Sequence, residues 1–487
     1  MKILLLKSKI KSARLISEYE GKFVPNGLLI VARALEDAGY QVKVLDFNIR
    51  DEGLLRPTLE SYQPQIIGIG AMSVNLDKVL EHAEFCKNLM KEAKIIIGGP
   101  ITSVASEYLL DNEYIDFIIK GEGEERIVKL IGTLKHGSVD DLKDADGIGF
   151  RLNGRMIINT QSAFVSPDKI PIPARHLIQM DEYISSFPER FSDIRIDNKP
   201  LRGTNITVSR GCPYNCIYCD KSIFGYKWRI RNISSIIEEI NSLNRQYGIN
   251  AIMFDDDMFD LDKNWLKEFC RKLKSDGPKI VWHCNSRANH ADLETYRVMY
   301  ESGCRSIAFG IESGNQQVLN TMRKQLTLKS ISEAVYAAKK AQLRVTGYFM
   351  IGMIDETKKT ILDTIRFAKS LPIDAGGFSL VVPMHGTELY NLAYKRRLIK
   401  QGEFGQIDRT DMHINMTEHL TNAQLRKLQK MASWQLFWTR PGRKIPKAAA
   451  VILSELFPFF YFVSGGKIVS LVNKVNKIRR QMRIPLP

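Results

Sequence analysis

The sequence predicts an α/β protein: an N-terminal doubly wound parallel sheet, then a partial barrel of six β/α units, then a helical C-terminal extension. Three observations lead there. Short apolar runs alternate with helix-spaced segments from Lys2 to about residue 135, the alternation resumes with longer spacing from Leu201, and it stops after Gly402. The expected domains are therefore 1–135, a connector at 136–200, the barrel at 201–402 and the extension at 403–487.

A chain of 487 residues has room for two or three domains, each with its own core. Its 44% hydrophobic and 25% charged content is that of a soluble globular protein. Met1 leads directly into Lys2-Ile-Leu-Leu-Leu-Lys7, too short for the apolar core of a signal peptide. Seven cysteines, odd in number and irregular in spacing, argue against a disulfide framework and for a reducing compartment, so the cytoplasm is expected.

In the first domain the predicted strands are Lys2–Leu6, Gln41–Asp46, Gln65–Gly70, Lys94–Gly98 and Phe117–Lys120. Helical spacing covers Asn26–Gly39, Leu76–Lys91, Ser103–Leu110 and Glu124–Leu134. Ligands of such sheets bind at the carboxyl ends of the strands, where the loops are rich in glycine. Those glycines let a large flat ligand approach the backbone, although ending strands would alone explain them. No GxGxxG follows the first strand, which disfavours a dinucleotide. In the connector, Asn153-Gly154 marks a hairpin, and Pro167, Pro171 and Pro173 stiffen an extended crossing.

The barrel strands are expected at Asn205–Ser209, Ala251–Phe254, Ile280–His283, Ser306–Phe309, Arg344–Met350 and Gly377–Val382, each followed by a loop that could carry chemistry. The first of those loops holds Cys212-Pro-Tyr-Asn-Cys216-Ile-Tyr-Cys219. Gaps of three and two residues let three thiolates converge as an iron-sulfur cluster requires, and the missing fourth cysteine leaves one iron open. A zinc knuckle, a disulfide and chance clustering are the competing readings. Cys86, Cys270, Cys284 and Cys304 lie in apolar surroundings and read as small hydrophobes.

The CxxxCxxC loop after the first strand of a βα repeat resembles the radical S-adenosylmethionine (SAM) superfamily. The resemblance implies that Cys212, Cys216 and Cys219 hold a 4Fe-4S cluster, that SAM chelates its fourth iron, and that one electron, from a donor such as flavodoxin or ferredoxin, releases a 5'-deoxyadenosyl radical. It further implies that Asp256 and Asp257 meet the SAM amino group, Arg287 its carboxylate, Glu312 its ribose or amine, and Tyr218 the adenine. A helix N-terminus would also favour the two aspartates.

A doubly wound domain before such a barrel resembles the cobalamin-binding subgroup, with Gly98-Gly99-Pro100 and Gly121-Glu122-Gly123-Glu124 matching its segments. Cobalamin would then rest on loops around Ser73, Asn75, Gly99, Thr102 and Gly121. Ile101 stands where many members have His, and no Asp-x-His-x-x-Gly occurs, so cobalamin bound without a histidine ligand is implied; His82 and His136 are expected on helix surfaces. Methylthiotransferases differ in carrying three cluster cysteines in the first domain, where this chain has only Cys86. The implied activity is methylation of an unactivated carbon of a hydrophobic or lipid substrate, with an oxidative cyclase similar to the anaerobic enzyme of chlorophyll biosynthesis as the alternative.

The net charge of +16 is uneven. From Arg440 onward there are ten Lys or Arg against one acid, Glu455, so this tail supplies +9 of it. Nucleic acid is not an expected partner. The apolar run Ala448–Val463, rich in Phe and flanked by Lys and Arg, suits an element lying in a membrane interface, giving 440–487 a peripheral membrane contact. A helix packed on the barrel is the plainer reading.

Overall fold

Four successive buried residues, Ile3 to Leu6, make β1 (Lys2–Lys7) an inner strand with both faces covered. The computed structural model describes residues 1–10, 23–184, 194, 196, 200–289, 292–399 and 414–438. β1 is followed by α1 (Asn26–Asp37), β2 (Gln41–Asp46), α2 (Leu55–Tyr62), β3 (Ile66–Gly70), α3 (Leu76–Leu89), β4 (Lys94–Gly98), α4 (Ser106–Asp111), β5 (Phe117–Ile119) and α5 (Glu124–His136). The strand order is β2-β1-β3-β4-β5, all parallel, so the sheet reverses direction between β1 and β3. That reversal opens a crevice at the carboxyl ends of the strands. The sequence missed α2, a two-turn helix with Pro57 inside its first turn and only Leu55 and Leu59 buried.

The expected hairpin forms as β6 (Ile148–Leu152) and β7 (Arg155–Ile158) around Asn153-Gly154, both at positive φ. Its place differs from the expected one. β6 pairs antiparallel with β5, so the connector extends the first sheet instead of only crossing between domains. Ile148 and Phe150 supply the reason: both are fully buried against the first-domain core.

Past α6 (Met180–Ile184) comes the second layer. Its strands are β8 (Gly203–Ile206), a short ribbon of β9 (Ser209–Arg210) and β10 (Arg229–Ile230), then β11 (Ala251–Phe254), β12 (Val281–Ser286), β13 (Cys304–Glu312), β14 (Arg344–Ile351) and β15 (Ala375–Leu380). Six parallel strands run in the order β15-β14-β13-β12-β11-β8, the partial barrel that was expected. The crossovers are α7 (Ile233–Tyr247), α8 (Lys263–Asp276), α9 (Leu293–Glu301), the short α10 (Gln316–Thr321) with α11 (Leu328–Lys340), and α12 (Lys358–Ser370). Asp262, Asp292, Thr327 and Thr357 cap α8, α9, α11 and α12 with side-chain acceptors. Phe254, Phe259, Phe269 and Trp282 pack edge to face between β11, β12 and α8.

After α13 (Glu388–Lys395), α14 (Asn422–Trp438) lays Leu425, Leu428, Ala432 and Leu436 on the core, Leu436 against Gly376 of β15. The basic segment from Arg440 and the apolar run at 448–463 lie outside the described residues. No helix among the described residues is long and apolar enough to cross a membrane.

Where the connector meets the barrel, Glu239 of α7 accepts Arg175 at 2.7 Å and Arg231 at 2.6 Å, all three buried. Burial alone would raise the Glu239 carboxyl, but the two guanidinium groups hold it below the ordinary carboxylate range. Glu239→Ala should cost about 3–5 kcal/mol in denaturant unfolding, because two buried cations lose their partner. A carboxyl with a lowered folded pKa stabilises above its unfolded value, about 4.3, and that stability disappears as pH falls through the folded pKa. The stability gap between wild type and Glu239→Gln should therefore narrow as pH falls below about 4.

Candidate functional site

The crevice between β1 and β3 continues into a cavity of about 380 Å³ roofed by the second domain. Leu5, Ile69, Ile96 and Ile119 give it an apolar floor, and Asn75, Gly98, Gly99 and Gly121 its rim; Arg210, Ile223 and Phe224 close it from the barrel side. A Cβ on Gly98 would meet no described residue within 4 Å, so its backbone borders the cavity. Gly99 is required for another reason. Its φ is +101°, and a Cβ would lie 2.5 Å from the carbonyl oxygen of Ala71.

Of the five residues expected to meet cobalamin, Asn75, Gly99 and Gly121 line this cavity, and Ser73 and Thr102 are not among the lining residues. Thr102 is fully buried behind the wall, its hydroxyl bonded to the carbonyls of Gly99 and Ile119 at 2.8 Å each, so it ties β4 to β5. Ser73 opens the short turn ahead of α3. Asn75 also braces the loops, donating to the Ser8 carbonyl at 3.2 Å and accepting from the Met72 amide at 2.8 Å. His82 is corrected from surface to core: it bonds Ser8 Oγ at 2.8 Å, stands against Phe47, and burial lowers its pKa. His136 is exposed. No histidine is among the described residues lining the cavity.

The two acids of Gly121-Glu122-Gly123-Glu124 border the cavity, but their carboxylates are spent on arginines. Glu122 bonds Arg210 at 3.0 Å and Arg229 at 2.9 Å, and Glu124 bonds Arg210 at 2.5 Å, with every side chain buried. Sequence gave no sign of this, because the partners are about 90 to 110 residues away. Arg210 carries the strand into the cysteine loop two residues later.

That loop is held by its backbone. Gly211, at φ +83°, lies so close to the Lys227 carbonyl that a Cβ would be 2.3 Å from it. Ile217 donates to the Met322 carbonyl at 3.2 Å and accepts from the Leu389 amide at 2.8 Å, which pins the loop midway between Cys216 and Cys219. Cys212 is buried; Cys216 and Cys219 are half-buried, and none of the three is in a disulfide. Among the described residues no group of three His, Cys, Asp or Glu closes around a single metal ion. Burial pushes the Cys219 thiol up, and the adjacent Lys221 ammonium opposes it. Lys221 was missed by the sequence reading, although it stands two residues after the last cysteine.

The three consecutive aspartates after β11 divide their work. Asp256 is buried, and its Oδ1 accepts from Ser209 Oγ at 2.7 Å and from the Val208 and Ser209 amides, leaving Oδ2 without a partner. Burial pushes its carboxyl up to about 7. Asp256 thus braces the strand that delivers the cysteines, whereas Asp257 is exposed beside Cys219 and Lys221. Arg287 follows β12, 3% exposed, stacked 3.7 Å from the Tyr214 ring centroid, with Nε and Nη2 unpartnered. A buried guanidinium with two unused donors fits a carboxylate. Glu312 sits on a bulge at the end of β13 with φ +65°, and Lys324, also missed, bonds both Glu312 Oε1 at 2.9 Å and Tyr218 Oη at 3.1 Å. Burial, with Glu312 and Cys216 nearby, pushes the Tyr218 phenol well up.

Residues 206–368 match the radical SAM superfamily and residues 14–131 the B12 binding domain. An uncharacterized methyltransferase of Pyrococcus horikoshii is 30% identical over 478 residues, 97% of this chain and 98% of that protein. The chain belongs to the radical SAM superfamily, in the branch that carries a B12 binding domain. The anaerobic magnesium-protoporphyrin IX monomethyl ester cyclase of Cereibacter sphaeroides is 25% identical over 388 residues, covering 77% of this radical SAM chain and 61% of the cyclase. Among solved structures, the radical SAM methyltransferase TsrM of Kitasatospora setae, with cobalamin and a 4Fe-4S cluster bound, shares the fold with a TM-score of 0.66 at 19% identity, covering 82% of this chain and 79% of that one. The cofactors of this radical SAM protein are accordingly a 4Fe-4S cluster, SAM and cobalamin.

The residues present fit all three groups: three thiols without a fourth, an unsatisfied buried arginine, and a glycine-rimmed apolar cavity. Gly98→Leu, which fills the cavity from an open backbone position, should lower cobalamin retained after gel filtration at least tenfold while iron per chain stays unchanged. Cys216→Ala should do the reverse, as read by metal analysis and visible spectra.

Proposed function

We propose that this protein transfers a methyl group to an unactivated carbon of a hydrophobic substrate. The observation that carries the reading is Arg210, which walls the cavity and stands two residues before Cys212, so one short segment serves both cofactor sites. When bound, the cluster with SAM supplies a deoxyadenosyl radical and methylcobalamin supplies the methyl group.

The chain's own residues would bind and orient. Cys212, Cys216 and Cys219 would ligate the cluster, with Lys221 offsetting the charge of the thiolates. Arg287 would hold the SAM carboxylate, and Asp257 would be nearest its amine. Glu312, kept in place by Lys324, would receive the ribose hydroxyls, with Tyr218 beside the adenine. Asn75, Gly99 and Gly121 would carry cobalamin. A small reducing protein such as flavodoxin or ferredoxin would provide the electron. The basic, Phe-rich tail at 440–487 supports a cytoplasmic enzyme that touches an anionic membrane and takes its substrate there.

The relation to a cyclase favours a second reading, oxidative ring formation on the same scaffold. Anaerobic turnover of the reconstituted enzyme with methyl-labelled SAM and a membrane lipid extract separates the two. Methyl transfer requires both deoxyadenosine and S-adenosylhomocysteine, with label entering the lipid; deoxyadenosine without S-adenosylhomocysteine would favour the cyclase reading. Arg287→Ala should weaken SAM about 10- to 100-fold, as expected for loss of a charged hydrogen bond, measured by equilibrium dialysis.

A further inference from the structure

Strand alternation decides which side chains face the barrel lumen. On β14, Val345, Phe349 and Ile351 are buried in the main core under the helices, and Phe349 stacks on Phe378 of β15 at 4.9 Å. Thr346, Tyr348 and Met350 therefore face the lumen, as do Gly310 of β13 and Gly377 and Ser379 of β15. Gly310, Tyr348 and Gly377 stand opposite one another in register, forming one row across three strands.

The row is unusual in its exposure. Tyr348 is 43% exposed although it sits on an inner strand of the sheet. Its two neighbours have no side chains, and they are not equivalent. The space above Gly310 is taken by Glu312 Oε1 and Lys324 Nζ, at 2.5 Å and 3.0 Å from where a Cβ would be. Among the described residues nothing lies within 4 Å of a Cβ on Gly377, and Tyr348 does not fold over that space. Next along β15, Ser379 is exposed. β15 also ends the sheet, so the slot lies at the side opening of the barrel.

We infer that the slot over Gly377, walled by Tyr348, binds a flat ring system of the substrate, aromatic or fused-ring, beside the Glu312–Lys324–Tyr218 group. This deepens the methyl-transfer reading and rests on it for the word substrate. The floor is smooth because glycine and serine rise little above the sheet, which suits a rigid planar face. A Tyr ring adds stacking worth about 0.5–1.5 kcal/mol beyond area burial, a gain a linear chain would not obtain. The slot wall presents no charged side chain of its own in that row.

The test uses holoenzyme loaded with cluster and cobalamin, and two probes that share a head group: naphthalene-2-sulfonate and decane-1-sulfonate, by equilibrium dialysis. Gly377 has an ordinary φ, so Gly377→Leu puts a side chain into the slot without backbone strain. The ring probe should bind wild type at least tenfold tighter than the chain probe, and Gly377→Leu and Tyr348→Ala should each weaken it at least tenfold, with Tyr348→Phe retaining it. Iron and cobalamin per chain and the melting temperature report whether each variant is folded. Equal ring binding by folded wild type and Gly377→Leu, or equal binding of ring and chain probes by wild type, would overturn the inference. Methyl transfer is scored separately, since wild type that binds the ring probe but never yields S-adenosylhomocysteine refutes the reaction and leaves the slot.

Discussion

One carboxylate, Glu122, its side chain fully buried, accepts two guanidinium groups from the other domain, Arg210 and Arg229. Buried ions are tolerated only when each is paired and bonded, so this group admits one relative placement of sheet and barrel. Val165 closes it, donating to Glu122 and accepting from Arg229. The cavity exists because of this placement: its floor belongs to the first domain and its roof to the second. The same arginine that satisfies Glu122 and Glu124 starts the cysteine loop, so the clasp sets the distance between the cavity and that loop.

The barrel end repeats this economy on a smaller scale. Asp255, Asp256 and Asp257 are consecutive, yet strand geometry sends them to different surroundings. Asp255 stays solvent-accessible beside Asn205, Asp256 is sealed under the cysteine strand, and Asp257 reaches the loop itself. Asn205 in turn bonds the backbone of Val24, joining the loop before α1 to the first barrel strand. Among the buried polar atoms with no partner, those on Asp256 and Arg287 belong to residues expected to meet SAM.

Much of the fold was legible because parallel strands buried on both faces read as unbroken apolar runs, as in Leu4-Leu5-Leu6 and Ile95-Ile96-Ile97. Helix limits at Asn26 and Leu76 and the hairpin at Asn153-Gly154 were legible from local chemistry. α2 was not, since Pro57 and a short apolar stripe disguise it. Nor was the pairing of β6 with β5, which depends on an edge that no local pattern marks. Thr102, Ser73 and His82 were read by their position in loops or helices, but their partners, Ile119, the turn before α3 and Ser8, decide which way they face.

By itself, the sequence determined the class of each layer, the close spacing of three cysteines in one loop, and the composition of the loops at the strand ends. Those properties follow from short-range spacing and residue type. The tertiary structure alone decided that Glu122 and Glu124 serve the domain interface, that Asp256 braces and Asp257 faces the loop, and that Tyr348 stands beside an empty glycine. Each of these depends on a neighbour distant in the chain, brought near by burial and register, and no local pattern encodes it.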